Sequence, residues 1–393
     1  MDAAPLRPPL QIGPLTADPP VVLAPMAGVT DAPFRVLCAS FGGGLFVNQM
    51  VTARALLHDN KASWELARFH PAERVRSLQL YGTDPVTVGE VVRRLVAEDL
   101  VDHVDMNFGC PAPKVTRNGG GAALPVKRTL LRAVVGAAVR AADAESGGRV
   151  PVTIKFRVGI DDDHLTFLDT GRIAADEGVA AVALHARTAL QHYAPPARWE
   201  RIAELVEAVS PLPVLGNGDV FTGEDAVRMM TQTGCAGVVV GRGCLGRPWL
   251  FRDLEDALAG RPVQPAPLLG EVAGVVRRHL DLALEWRQGS VAHDDLSDRY
   301  VVPAFRKHLA WYLKGYPVGA EVRRAAGQIR TTDDVHALLD GLDPDAQAVV
   351  AAESVVRSHS NALTRVALPE GWLDDPDEDV ALDPALEEMF SGG

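Results

Sequence analysis

Short apolar runs alternate with longer amphipathic segments along the first two thirds of the chain. Each run is rich in Val, Ile or Leu and is bounded by Gly, Pro or Asp, a pattern typical of buried parallel strands. There are eight such runs: VVLAP from Val21, LFVNQ from Leu45, SLQLYG from Ser77, HVDMNFG from His103, PVTIKFRVG from Pro151, AVALHA from Ala181, PVLGNGD from Pro213 and GVVVGRG from Gly237. We therefore expect eight short parallel strands.

The segments between these runs carry apolar residues at helical spacing. TGEDAVRMMTQTG begins with a capping Thr222 and ends at Gly234. DPVTVGEVVRRLVAE has one apolar stripe, formed by Val86, Val88, Val91, Val92 and Leu95. Eight strand–helix units predict an α/β fold, a TIM (β/α)8 barrel over residues 21–262. A doubly wound sheet is disfavoured because no G-x-G-x-x-G follows the first run.

Three further regions lie outside the predicted barrel. Residues 1–20 form an N-terminal extension, and residues 263–365 have the pattern of a small helical domain. The segment VPAFRKHLAWYLKGY has an inner apolar stripe, formed by Phe305, Leu309, Tyr312 and Tyr316. A neighbouring face carries three basic residues, Arg306, Lys307 and Lys314. Residues 366–393 are rich in acidic side chains, and we expect this tail to be disordered.

Charge is distributed unevenly along the chain. The net charge of −12 at pH 7 disfavours a nucleic-acid partner. However, nine acidic and no basic residues lie between Val366 and Gly393, whereas seven basic residues and one acidic residue lie between Arg299 and Arg330. A basic cluster alone is most often a solvated helix face. The charge distribution therefore neither establishes nor excludes a nucleic-acid partner.

The four cysteines are Cys38, Cys110, Cys235 and Cys244. They form no C-x-x-C pair and have no metal-ligand spacing, so we expect no disulfide framework, no bound metal and a reducing, cytoplasmic location. The N-terminal segment lacks the basic and apolar regions of a signal peptide. No run of eighteen apolar residues occurs, so we expect no membrane span.

Polar side chains stand at seven of the eight carboxyl ends of the runs, where a barrel carries its active site. In chain order the ends carry Pro25 and Met26, Gln49 and Met50, Gln79, Asn107 and Cys110, Lys155 and Arg157, His185 and Arg187, Asn217 and Asp219, and Gly241 and Arg242. One such group alone has a structural explanation, such as a turn at Asn217 or a core histidine at His185. Their combination indicates an active site.

The last two runs end in GNGDV and GRGCLGRPW, which favours a phosphate site. Gly218, Gly241 and Gly243 lack Cβ atoms, so backbone N–H groups can approach phosphate oxygens. Arg242 can add a charge-assisted hydrogen bond. The phosphate could belong to a phosphorylated substrate or to FMN. A sugar-phosphate isomerase would more often place a Glu base at a strand end, and none of the runs ends in Glu.

Two strand ends and the APMAG segment favour FMN. Gln79 offers a donor and an acceptor to the imide edge of an isoalloxazine ring, and Lys155 can stabilise negative charge near N1 of the reduced ring. The backbone of APMAG, after the first run, can lie against the ring. These residue types are therefore suited to a flavin.

Cys110 is followed by Pro111, which ends its strand and directs the thiol over the barrel mouth. A free cysteine is usually a small buried hydrophobe, and that description suits Cys38 and Cys235. It suits Cys110 poorly, because Asn107 precedes it and RNGGGAAL follows it. A thiol with a pKa near 8.5 is mostly protonated at pH 7. Cys110 is therefore a candidate general acid.

Eight motifs resemble, in order, those of the bacterial tRNA-dihydrouridine synthases: APMAGVTDAPFR, LQLYG, DMNFGCPAPKV, GGGAAL, IKFRVG, HARTALQHY, GNGDV and GRGCLGRPW. The resemblance covers Val21 to Leu254 and continues weakly through FRKHLAWYLKGYP. It implies an FMN-bound barrel, a helical tRNA-binding domain, NADPH as reductant and uridines of tRNA as substrate. On this basis we expect the basic patch to bind tRNA phosphates, and we expect a monomer.

The resemblance also implies roles for individual residues. Cys110 corresponds to the proton donor, which protonates C5 of a flipped-out uracil after hydride passes from N5 of FMN to C6. Cofactor contacts are implied at Pro25, Met26, Ala27, Gln79, Lys155, His185, Asn217, Gly218, Asp219, Gly241 and Arg242. Substrate and tRNA contacts are expected from Asn107, Arg187, Arg306, Lys307 and Lys314.

Three positions depart from the family's pattern. Ala186 stands where a glycine usually follows His185, Gln49 stands where Glu usually precedes Met50, and APPARW follows Tyr193 where glycine is common. These changes leave the flavin residues intact. They put the shape of the substrate loop in question.

Two other functions stay open. A free-pyrimidine or dihydroorotate-type FMN oxidoreductase would share the barrel and the phosphate site, but it would not need the basic helical region after Arg299. A catalytically silent tRNA-binding chaperone would not need the set of polar strand ends. A flavin absorption band would exclude the chaperone.

Overall fold

The computed structural model describes residues 7–289, 297–349, 357, 365–380 and 382. Within these residues, eight parallel strands run in chain order: β1 (Val21–Leu23), β2 (Leu45–Phe46 and Val51–Thr52), β3 (Ser77–Tyr81), β4 (His103–Phe108), β5 (Val152–Arg157), β6 (Ala181–His185), β7 (Val214–Asn217) and β8 (Gly237–Val240). Each strand pairs with the next, and β8 pairs with β1. The predicted barrel is confirmed.

The barrel closes at β2, which is split into two parts. The first part pairs with β1 and the second with β3, and an isolated bridge joins Val47 to Ser77 between them. Gly44 precedes β2 with φ +126°, and a Cβ there would lie 2.5 Å from the carbonyl oxygen of Val21. The close approach of β1 and β2 therefore requires glycine at this position.

Helices cover the outside of the barrel: α1 (Ala32–Ala39), α2 (Ala53–Leu57), α3 (Lys61–Ala67), α4 (Pro85–Ala97), α5 (Pro113–Thr116), α6 (Arg128–Ser146), α7 (Phe167–Asp176), α8 (Glu200–Val209), α9 (Gly223–Thr233) and α10 (Leu250–Leu258). Short 3-10 turns span Gly121–Val126 and Arg242–Cys244. In the described part of the chain, no helix is long and apolar enough to cross a membrane.

Two of these helices test the predicted patterns. Thr222 caps α9 and Gly234 ends it in the left-handed region, as predicted. The stripe of α4 is buried except at Val86, which is 67% exposed. Val86 lies two residues before Val88, and residues two apart do not share a helix face. Val86 therefore does not belong to the stripe.

The N-terminal extension contains an antiparallel hairpin of Leu10–Ile12 and Leu15–Ala17. Apolar side chains of both strands form one cluster with side chains from inside the barrel. Gly13 in the turn lies against Pro151, which immediately precedes β5. The hairpin therefore covers the amino ends of the barrel strands and leaves the carboxyl ends open.

In the part of the chain after the barrel that the structure describes, there are four helices: α11 (Leu269–Gln288), α12 (Ser297–Leu313), α13 (Gly319–Ala326) and α14 (Thr332–Asp340). They enclose a second hydrophobic core, which contains all four residues of the predicted stripe. Leu37 of α1 and Trp249 before α10 belong to the same core. The helical unit is therefore packed directly on the barrel.

Residues 365–380 differ from the expected disordered tail. The segment lies against the barrel, with Trp372 buried in the barrel's own hydrophobic cluster. Two of its acidic side chains form ion pairs with basic residues before and at the start of α6. The expectation was wrong over this stretch, because it followed from charge composition and took no account of specific partners. Residues 383–393 of the predicted tail lie outside the described residues.

Candidate active site

A cavity of about 440 Å³ opens at the carboxyl ends of the barrel strands. Cys110, Asn107 and Arg187 line it, as do all eleven residues implied as cofactor contacts. Arg157, a predicted strand-end group without an assigned contact, lines it as well. So do Tyr193 and Trp311, for which the sequence predicted no role. The polar ends of β3 to β8 therefore converge on one site, as the spacing predicted, whereas Gln49 is not among the lining residues.

A chain of buried hydrogen bonds begins near the amino ends of β3 and β4. The hydroxyl groups of Ser77 and Thr153 lie 2.7 Å from Nδ1 and 2.9 Å from Nε2 of His103. Thr153 Oγ1 donates to Asp105 Oδ1 at 2.6 Å, so it accepts from His103 Nε2. Burial lowers the pKa of His103 to about 4, which keeps the ring neutral. These groups therefore hold the carboxylate of Asp105 from the side of the amino ends of the strands.

Asp105 continues this chain to the loop after β4. Gln79 Nε2 donates to Asp105 Oδ2 at 2.6 Å, and Asn107 Nδ2 donates to Gln79 Oε1 at 2.8 Å. Asn107 Oδ1 accepts from the backbone N–H groups of Gly109 and Cys110 at 3.1 and 2.9 Å. The network therefore fixes the orientation of both amides and the backbone at Cys110.

The Cys110 thiol is half-buried and lines the cavity. Burial raises its pKa, and this effect exceeds the opposing influence of a backbone hydrogen bond and of the Arg157 cation. The thiol is therefore protonated at neutral pH. The N–H group of Ala122 donates to the Cys110 carbonyl oxygen at 3.0 Å. A Cβ on Gly121, where φ is +53°, would lie 2.5 Å from that oxygen, so the loop requires glycine.

Arg157, at the end of β5, joins two loops at the cavity. Its Nε donates to the carbonyl oxygen of Gly109 at 2.9 Å, and its Nη1 donates to those of Thr188 and His192 at 3.0 Å each. Burial lowers the pKa of its guanidinium to about 10, so it stays charged at neutral pH. Arg157 therefore holds the Cys110 loop to the loop after β6.

Asp219 is the centre of an ion-pair group at the ends of β6, β7 and β8. Its two oxygens accept from Nη2 of Arg187 at 2.8 and 2.6 Å, and Oδ1 accepts from Nη2 of Arg242 at 3.2 Å. The N–H group of Ala197 donates to Oδ2, and Arg187 Nε donates to the carbonyl oxygen of Pro195. Arg187, expected to contact the substrate, therefore holds the APPARW loop in place.

Positive charge exceeds negative charge around the cavity. The described lining residues include four Lys or Arg side chains and one acidic side chain, that of Asp219. Burial lowers the pKa of Lys155 to about 7, and it also lowers the pKa of Arg242. The nearby carboxyl of Asp105 has a pKa raised to about 6, also by burial. Buried cations gain from an anionic ligand, so these residues fit a ligand that carries a phosphate group.

Tyr193 forms part of the cavity mouth. Its ring centroid lies 4.3 Å from the guanidinium of Arg242 and 6.4 Å from the ring of His185. Burial, followed by the repulsion of nearby cations, holds the pKa of His185 well below its ordinary value. The imidazole is therefore neutral and can offer a hydrogen bond without adding charge.

The helical unit reaches the cavity through α12. Trp311 lines the cavity, and Lys307, one helical turn earlier, donates from Nζ to the carbonyl oxygen of Gly28 in the loop after β1. Gln49, one of the departures from the family pattern, accepts from the Gly28 N–H group at 2.7 Å. Lys314 directly follows the last residue of α12. Lys307 and Lys314 therefore flank Trp311 along the chain.

Arg306 has a structural role rather than an open surface position. Its Nε and Nη2 donate to the carbonyl oxygen of Ile329 at 2.8 and 2.6 Å. The side chain thereby joins α12 to the segment after α13. Helical spacing could not reveal this backbone partner 23 residues away, and a contact of Arg306 with tRNA stays a prediction.

A family model described as Dihydrouridine synthase (Dus) matches residues 22–350. The "Probable tRNA-dihydrouridine synthase" of Mycobacterium tuberculosis (strain ATCC 25618 / H37Rv) is 49% identical over 393 residues, covering 98% of this chain and 97% of that protein. The "tRNA-dihydrouridine synthase B" of Pseudomonas aeruginosa is 37% identical over 325 residues, covering 82% and 92%. A solved structure of histamine dehydrogenase from Rhizobium sp. 4-9 is similar in fold, with a TM-score of 0.50, 12% identity and coverage of 86% and 65%. The chain belongs to the dihydrouridine synthase family.

Proposed function

We propose that this chain reduces the C5–C6 double bond of selected uridines in tRNA, with FMN as bound cofactor and NADPH as reductant. The observation that supports this best is the protonated Cys110 thiol beside a cationic cavity, in a chain of the dihydrouridine synthase family. The test is to incubate the flavin-loaded enzyme with NADPH and unmodified tRNA and to map dihydrouridine by mass spectrometry. RNA without dihydrouridine would overturn the proposal.

The lining residues divide between a phosphate site and a ring site. Gly218, Gly241 and Arg242 would hold the phosphate at the ends of β7 and β8. Lys155 would favour the negative charge of the reduced ring. Gln79 shares its oxygen with Asn107 and one N–H with Asp105, so its remaining N–H is the group that it offers to the ring. FMN, when bound and reduced by NADPH, would supply from its N5 the hydride that is added to C6 of uracil.

Cys110 would act as the proton donor. Hydride addition at C6 leaves negative charge on C5 and O4, and the thiol proton passes to C5 to complete the dihydrouracil ring. The thiolate left behind is stabilised by the Arg157 cation and by a backbone hydrogen bond. Water then returns a proton to the sulfur. The hydrogen-bond chain from Asp105 to Asn107 keeps the backbone of this loop fixed during transfer.

The tRNA would enter over α12. Trp311 offers an aromatic surface on which an unstacked base can lie. Lys307 and Lys314 offer positive charge for neighbouring phosphates. A free-pyrimidine reductase needs none of these groups, so it would reoxidise as fast with free uridine as with tRNA. We expect free uridine to react far more slowly.

We expect Arg242→Ala to weaken FMN binding about tenfold or more, because a charge-assisted hydrogen bond is worth about 1.5–3 kcal/mol. Fluorescence titration of cofactor-free protein with FMN measures the effect. Arg261→Ala, which removes a 52% exposed side chain on the barrel surface, is the control. Equal dissociation constants for Arg242→Ala and wild type would contradict the assigned phosphate site.

We expect the double variant Lys307→Ala, Lys314→Ala to reduce the salt dependence of tRNA binding. Each lost phosphate contact should lower the slope of log K against log[salt] by about one unit. Binding isotherms at several salt concentrations provide the slope. The double variant Arg140→Ala, Arg172→Ala removes the same charge from α6 and α7 and should keep the wild-type slope. A wild-type slope in the lysine variant would place the tRNA elsewhere.

A further inference from the structure

The acidic segment 365–380, named here the C-terminal strap, is anchored in the barrel by Trp372. The indole is 4% exposed, and its Nε1 donates to the carbonyl oxygen of Ala123 at 2.8 Å. The Lys127 ammonium lies 5.3 Å from the centroid of the same ring. A Cβ on Gly119, where φ is +75°, would lie 2.7 Å from the indole, so the loop and the ring are in close contact. The strap is therefore built into the barrel.

Charged groups hold the strap on both sides of Pro376. Lys127, whose side chain is 1% exposed, donates from Nζ to the Asp375 carbonyl oxygen at 2.7 Å and to Glu378 at 2.6 Å. Arg128 forms a bidentate pair with Asp377, at 2.8 and 2.6 Å. The Arg128 N–H group donates to the Pro376 carbonyl oxygen at 2.9 Å. A bidentate pair and a buried ammonium fix the strap in one register.

The residues that the strap contacts are those that support Cys110. Ala122, next to the Trp372 acceptor Ala123, donates from its N–H group to the Cys110 carbonyl oxygen. Gly121 leaves no room for a side chain beside that oxygen. The contacts thus run without a gap from Trp372, through residues 119–123, to the backbone of Cys110.

We propose that the C-terminal strap positions the Cys110 loop for proton transfer, with Trp372 as its positioning residue. The inference rests on the proposed function, because proton transfer from Cys110 is a step of that function. The contacts themselves do not depend on it. Without the indole, residues 119–123 lose a packing partner and a hydrogen-bond donor, and the Cys110 thiol becomes more exposed to water. The strap then supports catalysis.

The test is the rate at which iodoacetamide alkylates Cys110 between pH 6 and 10, followed by peptide mass spectrometry in the full chain. Trp372→Ala should raise the rate at pH 7.5 about tenfold, because a thiol pKa one unit lower gives about ten times more thiolate. Trp372→Phe keeps most of the ring packing but loses the donor, so it should lie between Trp372→Ala and wild type. If Trp372→Ala does not fold, Trp372→Phe decides the question alone.

Trp286→Phe is the control for a general loss of stability. Trp286 lies in α11, outside the strap, and its ring stacks on the guanidinium of Arg68. The Trp286→Phe variant should leave the alkylation profile of Cys110 unchanged, even if its melting temperature falls. Trp372 variants that melt earlier but alkylate at the wild-type rate would show a purely structural role and overturn the proposal.

Alkylation requires neither tRNA nor cofactor, so the proposal for the strap and the proposed function can be refuted independently. A strap that controls thiol reactivity in a chain without dihydrouridine synthesis would overturn the function alone. In the active enzyme, Trp372→Ala should slow the step with tRNA and leave reduction by NADPH at the wild-type rate. Equal slowing of both steps would count against positioning of Cys110.

Discussion

Replacing Cys110 with alanine is expected to slow oxidation of the reduced enzyme by tRNA about 10²–10⁴-fold, the usual worth of a general acid. Reduction of the enzyme by NADPH needs no proton from this thiol and should stay near the wild-type rate. Some turnover should survive, because water can reach C5 in place of the side chain. The two half-reactions therefore separate in this variant.

Stopped-flow absorbance of the flavin measures both steps, first with NADPH alone and then with reduced enzyme mixed with unmodified tRNA. Cys235→Ala is the matched control, because Cys235 is a buried thiol that packs near Gly216 of β7. It should leave both rates unchanged. If Cys110→Ala reoxidises with tRNA as fast as wild type, another group donates the proton.

The barrel and the members of its site could be predicted because both depend on local patterns. Buried parallel strands appear as short apolar runs, and a barrel brings the carboxyl ends of all its strands together. Cys110 and Asn107 lie within four residues of each other, so their chemical relation is visible in the sequence. Their placement on one cavity follows from topology alone.

Partners that are distant along the chain could not be predicted. Arg157 holds carbonyl oxygens of two other loops, and backbone acceptors leave no pattern in the sequence. The strap pairs with residues about 250 positions earlier, at a separation of 251 residues for Lys127 and Glu378. Composition favoured disorder there, although Trp372 and Leu373 within an acidic run were an available sign of docking.

Asp219→Asn should lower the free energy of unfolding by about 3–5 kcal/mol, because loss of the carboxylate leaves the buried cation of Arg187 uncompensated. The amide keeps the size of the side chain, and asparagine tolerates the φ of +58° at this position. The substitution thus removes charge from a site where the side chains of Arg187 and Arg242 are 2% and 11% exposed. Urea unfolding of the cofactor-free protein measures the loss.

Asp340→Asn is the control for Asp219→Asn. It removes the carboxylate from a surface pair in which the Asp340 side chain is 71% exposed, and it should cost less than about 1 kcal/mol. A similar cost for both variants would mean that the buried cations need no carboxylate. The difference between the two variants therefore isolates the effect of burial.

The same variant tests how Asp219 relates to the phosphate. A carboxylate repels a phosphate at close range, so Asp219 is better suited to positioning Arg242 than to contacting the cofactor. With the carboxylate neutralised, Arg187 and Arg242 lack their counter-charge, and a bound phosphate can replace it. FMN should therefore raise the unfolding free energy of Asp219→Asn by more than it raises that of wild type at the same concentration. An equal or smaller gain would show that the phosphate lies away from these two cations.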